Sequence, residues 1–220
     1  MSKAALASKP KLELQERPVR GSHAMRREAT RRKVFDACIA TIYESGFATA
    51  STLEVAKRAN ISRGALLKQF PTRSHMLCEV MRELLRQSVV NMQSFIKDVP
   101  PGIERVIAYA DAGWHFYRTP IGIVFIEIAL GARDNDQLGE MLASIGLERE
   151  EFEATRIWED MALAGATDRH AVATAVLGMV ATMRGLAIEH IWNRNSDLVQ
   201  ATFEAHRQRF AETLRTLALC

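Results

Sequence analysis

The residues of this 220-residue chain whose types could do chemistry gather between positions 51 and 73, where Arg63, Lys68 and Gln69 follow the hydroxyls of Thr52 and Ser62. Arginine can hold a guanine edge through two parallel hydrogen bonds, and lysine neutralises phosphate as a point charge. Arg63 suits either a base edge or a phosphate. The charge around these residues agrees with a polyanionic partner: residues 1–88 carry 17 Lys and Arg against 8 Asp and Glu, whereas residues 89–220 carry 12 against 18. Basic charge gathered at one end is what neutralising a row of phosphates requires.

Enzyme chemistry finds no comparable set. The sequence has no GxSxG elbow, no P-loop, no GxGxxG and no HExxH. The histidines at 23, 75, 115, 170, 190 and 206 share no helical face, and His115, between Trp114 and Phe116, is expected to be a hydrogen-bonded core or pocket histidine. The acids Glu148, Glu150, Glu151 and Glu153 fall on different faces of a helix and read as solvated surface. No catalytic residue, metal site or cofactor is expected. Cys38, Cys78 and Cys220 are widely spaced, with no CxxC, and read as packed or free thiols of a reducing compartment. No apolar run resembles a signal peptide, and the most apolar windows, 121–130 and 171–183, are shorter than the roughly 18 residues of a spanning helix. A cytoplasmic chain without a membrane partner is the expectation.

From Met25 onward apolar residues recur at three- and four-residue steps and nowhere alternate, so the expected fold is all-α. Residues 1–26 mix Lys, Arg, Ser and Pro without period and read as a disordered basic tail. A first helix is expected over about 27–45, with Val34, Phe35, Cys38, Ile39 and Ile42 inward and Gly46 as its stop. Ser51 and Glu54 have the spacing of a capping box at the start of a second helix. Asn60-Ile61 makes a turn, Ser62 caps a third helix, and Pro71 ends it near Phe70. Thr72 then caps a long fourth helix that runs to the break at Pro100-Pro101-Gly102. Two short helices joined by a tight turn in a basic unit form a helix-turn-helix over about 51–70, whose second helix enters the major groove. Later helices are expected at about 103–118, 120–132, 135–163, 168–193 and 196–218.

Gly46-Phe47, Ser51-Thr52, Val55-Ala56 and Ala59-Asn60-Ile61-Ser62-Arg63-Gly64-Ala65-Leu66, followed by Phe70, Arg73 and Leu77, resemble the TetR family of bacterial transcriptional regulators over about residues 27–88. The resemblance implies DNA contacts from Thr52, Ser62, Arg63, Gly64, Ala65, Leu67, Lys68, Gln69 and Arg73. That family usually has Thr, Tyr and Lys where this chain has Ala65, Leu67 and Arg73, so two hydroxyl donors to the DNA backbone are missing and one positive charge is kept. It also implies a homodimer that represses from a palindromic double-stranded operator and is released by a small molecule, with residues 89–220 as the ligand-binding and dimerisation domain.

The second domain holds all three tryptophans and several flexible methionines, which suit a small, largely apolar or aromatic ligand. Trp114, Tyr117, Phe125, Trp158, Met161, Met179 and Met183 are the expected pocket residues. The helix over 168–193 is apolar on nearly every side and must be buried on every side. Its small flank, Thr174, Gly178, Thr182 and Gly185, together with Phe203 and Phe210 of the last helix, is the expected dimer interface, the alternative being burial within one subunit. The rival reading of the whole chain is an all-α small-molecule carrier or enzyme whose helix-turn-helix is not used for DNA.

Overall fold

The computed structural model describes residues 23–192 and 196–219, apart from the side chains at 23–24, 147–153, 192 and 196. The tail as far as residue 22, Cys220 and the side chains of Glu148, Glu150, Glu151 and Glu153 lie outside that description. Helices α1 (His23–Ser45), α2 (Thr52–Arg58), α3 (Arg63–Gln69), α4 (Arg73–Ile96) and α5 (Ile103–Tyr117) are followed by α6 (Pro120–Gly131), α7 (Asp136–Leu163), α8 (Arg169–Trp192) and α9 (Ser196–Leu217). Single 3-10 turns stand at Phe47–Thr49 and Ala132–Asp134. No strand occurs among the described residues, as the helical period requires. Helix α1 begins at His23, four residues into the segment expected as tail.

Local chemistry sets the boundaries of the N-terminal unit. Ser51 Oγ accepts the Glu54 N–H at 3.1 Å and Ser62 Oγ accepts the Ala65 N–H at 3.1 Å, each satisfying an amide that the first helical turn leaves unpaired. Thr72 Oγ1 does the same for His75 at 3.0 Å. The capping box at Ser51 closes on one side only, because the Ser51 N–H donates to the Thr49 carbonyl at 2.7 Å within the preceding turn. Between α2 and α3 the Ile61 N–H bonds the Ala56 carbonyl and the Asn60 N–H bonds the Lys57 carbonyl, at 3.0 and 3.1 Å. This pairing is a Schellman motif, which needs a left-handed residue at its centre, and Asn60 supplies it with φ of 53°. Ile61 folds back on the core beside it and fixes the angle between the helices.

Two apolar cores follow. The first joins Val34, Cys38 and Ile42 of α1 to Leu66, Phe70 and the α4 row Leu77, Met81 and Leu84, and takes in Val124 and Ile128 of α6 and Leu138 of α7. Cys38 is fully enclosed there, and burial pushes its thiol up to about 12, so it is a packed thiol and no nucleophile. The second core brings Val106, Ile107, Ala110 and Trp114 of α5 against Met179 and Met183 of α8 and Phe203, Phe210 and Leu214 of α9.

Helix α8 departs from the sequence expectation twice. Over Arg169–Ile191 it is long and apolar enough to cross a membrane, which a window limited to 171–183 had not reached. Within the chain only 22% of the residues in its most apolar window are buried, so one subunit leaves part of that surface uncovered.

The left-handed turn yields a stability test. Asn60→Gly is expected to fold with unchanged or slightly higher stability, whereas Asn60→Val, with a β-branched side chain at positive φ, is expected to cost at least about 1–2 kcal/mol in urea denaturation. Equal midpoints for the two variants would show that the turn does not hold this conformation.

Candidate nucleic-acid interface

Helix α3 presents Arg63, Gly64, Ala65 and Lys68 to solvent, with Ser62 exposed at its start, while Leu66 is fully buried beneath them. Gln69 and Thr52 are half-buried at the edges of this surface. The helix therefore stands on one enclosed leucine and turns two cations outward, the arrangement a groove-reading helix needs. A Cβ added at Gly64 would meet nothing, so its backbone leaves open space for close approach.

Two of the expected contact residues face the protein. Leu67 is half-buried against the first core. Arg73 Nε donates to the Ala50 carbonyl at 2.9 Å and Nη2 to the Phe47 carbonyl at 2.6 Å, and the guanidinium lies 4.4 Å from the Phe47 ring centroid. Burial lowers its pKa from the usual arginine value. Arg73 is thus a structural tie, because the turn between α1 and α2 leaves carbonyls that only a long donor can reach.

Phe47 joins this reader to the rest of the chain. Its N–H donates to Glu127 Oε2 of α6 at 2.9 Å, and its ring lies against Gly131, where an added Cβ would come within 2.2 Å of Cε1. A residue larger than glycine at 131 would displace the ring. Burial raises the Glu127 pKa above the usual carboxylate range, partly offset by the bond from Phe47. Sequence reasoning missed this seat; Gly46-Phe47 in the family-like stretch was the only signal of it.

Beyond the reader lie two neighbouring cavities. The larger, about 380 Å³, is bounded by Phe125, Leu142, Trp158 and Val172 and by Met81 and Leu85 of α4. The smaller, about 110 Å³, is bounded by Tyr109, Phe116, Tyr117, Met179 and Met183, with Ser88 and Met92 of α4. Of the expected pocket residues, Tyr117, Phe125, Trp158, Met179 and Met183 line one or the other. Trp114 and Met161 do not. Trp114 stacks on Phe203 at 4.7 Å, with Nε1 donating to Gln200 at 3.0 Å, which makes it part of the joint between α5 and α9. Met161 is fully enclosed in the second core. His115, expected inside, is exposed beside Phe95, because it sits on the outer face of α5.

The expected interface residues also divide. Thr174, Gly178 and Gly185 lie exposed on α8, with Thr182 half-buried beside them, and a Cβ at either glycine meets nothing within 4 Å. Leu177, on the same face, is 64% exposed. Phe203 and Phe210 are a correction: they are buried within the chain, against Trp114 and beside the smaller cavity, so the apolar row of α9 faces its own subunit.

Residues 34–80 match the family described as bacterial regulatory proteins, tetR family. Over 202 residues, 90% of this chain and 99% of the relative, the sequence is 22% identical to the HTH-type transcriptional regulator CymR of Pseudomonas putida. Among solved structures, a transcriptional regulator from Rhodococcus sp. Rha1 superposes with a TM-score of 0.65 at 20% identity, covering 85% of this chain and 95% of that one. The transcriptional regulator FadR from Bacillus subtilis, solved in complex with stearoyl-CoA, superposes with a TM-score of 0.66 at 18% identity, covering 83% and 96%.

Two predictions belong to this geometry. Arg63→Ala and Lys68→Ala should each weaken binding to selected duplex DNA and leave the thermal midpoint unchanged. If Arg63 reads a base, its loss costs about 1–3 kcal/mol and relaxes preference at one position; a uniform loss across sequences marks a phosphate contact. Normal affinity in both variants would remove α3 as the reading helix.

The second concerns Glu127. Folding raises its pKa, so the folded state holds the proton more tightly than the unfolded chain, and stability falls as pH rises from the ordinary glutamate range toward the raised value. Glu127→Gln keeps an acceptor for Phe47 and should flatten that decline. Glu127→Ala loses both the acceptor and the titrating group, so it should cost about 1 kcal/mol at acid pH and less as pH rises. Identical pH–stability curves for wild type and Glu127→Gln would contradict the account.

Proposed function

We propose that this chain, a DNA-binding transcriptional regulator of the tetR family, is a repressor that sits on a palindromic operator as a two-fold dimer and leaves it when a small, largely apolar ligand fills the cavities beside α4. In this reading Thr52, Ser62, Arg63, Gly64, Ala65, Lys68 and Gln69 form the DNA surface, Leu67 and Arg73 support it from beneath, and Tyr117, Phe125, Trp158, Met179 and Met183 form the ligand site. The protein works where bacterial DNA is, in the cytoplasm.

The observation that carries the reading is the position of α4. Its first turns bury Met76, Leu77 and Val80 in the reader's core, and further along Met81, Leu85, Ser88 and Met92 line both cavities. A ligand that repositions α4 therefore acts on the seat of α3. Recognition helices of a dimer must be spaced roughly 34 Å apart to enter successive major grooves, so a small tilt of each α4 is enough to forbid simultaneous contact. Linkage makes the effect reciprocal: operator DNA weakens ligand binding by the factor by which ligand weakens DNA binding. The stearoyl-CoA complex of the Bacillus subtilis neighbour supports a ligand with an apolar chain in a fold of this kind.

A second copy is the cover that fits the exposed face of α8. Thr174, Gly178 and Gly185 are small enough for two helices to pack closely, and Leu177 supplies apolar area between them. Because an isologous contact repeats every change on both subunits, one large side chain there is doubled in effect.

Sedimentation is expected to show a dimer at micromolar concentration, with Gly178→Leu shifted toward monomer and impaired in operator binding. The dimer should bind DNA with an affinity that falls steeply as salt rises. A monomeric wild type, or a Gly178→Leu variant that dimerises normally, would remove α8 from the interface. Affinity for duplex DNA that is absent at every salt concentration would overturn the regulatory reading.

A further inference from the structure

The charges that line the two cavities are of one sign. Arg169 and Arg184 border the larger one, Arg156 and Arg184 the smaller, and no Asp or Glu among the described residues lines either. Background composition does not account for this, since the residues of 89–220 whose side chains are described include 10 Lys and Arg against 14 Asp and Glu. Among the described residues, arginine is the only charged type around these apolar hollows.

Arg184 occupies the position that matters. With Ile157, Val176 and Val180 it belongs to the wall common to both cavities. Its Nε donates to the Tyr117 hydroxyl at 2.9 Å, and its guanidinium carbon lies 5.8 Å from the Tyr117 ring centroid. Those contacts hold the planar head while engaging one of its five N–H groups. Among the described residues no carboxylate lies within ion-pair distance of it. Arg184 is exposed, and a guanidinium so held, with no protein partner for its terminal donors among the described residues, has the geometry for bidentate capture of a carboxylate.

We propose that the ligand is an amphipathic anion: an aromatic or branched hydrocarbon body seated between Phe125 and Trp158 in the larger cavity, with a carboxylate at Arg184. The proposal rests on the reading of these cavities as the regulatory site and names the ligand class that the site selects. A neutral hydrocarbon closing over Arg184 strips water from a cation and returns no partner, while a cationic ligand meets arginine at each charged position among the described lining residues. A carboxylate supplies the missing partner and leaves the aromatic walls for the body. Because the captured head lies on α8, between the cavity that contains Met81 and the one that contains Ser88, it bears on the helix that supports the reader.

The test uses three probes of one shape, 2-naphthoate, 2-naphthamide and 2-naphthylmethylammonium, in equilibrium dialysis against the full chain. Naphthoate is expected to bind at least about tenfold more tightly than the amide, with the ammonium weakest. Arg184→Gln should remove that preference and leave the amide's affinity within about twofold, and Arg184→Lys, which keeps the charge without the fork, should restore part of it. DNA affinity and the thermal midpoint of each variant establish that the fold is kept, and Arg184→Lys carries the comparison if Gln lowers the midpoint. Amide or ammonium binding as tight as naphthoate, or a preference that survives both substitutions, overturns the anion while leaving the cavities as a ligand site. Binding by none of the three, or binding unaffected by Phe125→Ala and Trp158→Ala, overturns the cavities themselves and the proposal with them.

Discussion

The backbone of Phe47 is held on both sides of its Cα, by Glu127 of α6 at its N–H and by Arg73 of α4 at its carbonyl, with its ring pressed on Gly131. A short reader such as α2–α3 has little core of its own, and its orientation is set by whatever grips its edge. Here that grip comes from helices that also border the cavities: Phe125 and Ala129 of α6 line the larger, and α4 lines both. Reader and cavity domain therefore share one apolar core, to which Val124 and Ile128 of α6 belong together with Leu66 and Phe70. Disturbance of α6 or α4 reaches α3 through packed side chains and two hydrogen bonds, with no need for a flexible link.

The same seat explains a chemical oddity. A carboxylate half-buried against a backbone amide is kept above its usual pKa by burial, a cost that a neutral acceptor would avoid. Its bond to Phe47 is charge-assisted and correspondingly stronger. Arg73 is arranged on the same principle, as a cation drawn inward to satisfy carbonyls that a turn leaves over. Both charges hold the junction between the two halves.

Much of this architecture was legible in the residues because it is decided locally. Ser51, Ser62 and Thr72 cap where their side chains predict, Pro71 ends α3, and Asn60 takes the left-handed position that a turn between helices needs. What failed was inference about which neighbour a side chain meets. Composition singled out Trp114 and Phe203 as pocket and interface residues, yet they stack on each other, since an aromatic at helical spacing looks the same in a core, a cavity or an interface. Arg73 kept the expected charge but turned it toward carbonyls 23 and 26 residues upstream, a pairing no spacing rule reveals. The Glu127–Phe47 bond spans 80 residues and was invisible for the same reason.

Hydrogen exchange at the Phe47 amide addresses the junction directly. The account predicts that this amide, although it opens a 3-10 turn, exchanges as slowly as the interior amides of α6, and that Glu127→Ala accelerates it while weakening DNA binding. Exchange at the rate of an exposed turn in the unaltered protein, or acceleration in Glu127→Ala with DNA affinity unchanged, would contradict it.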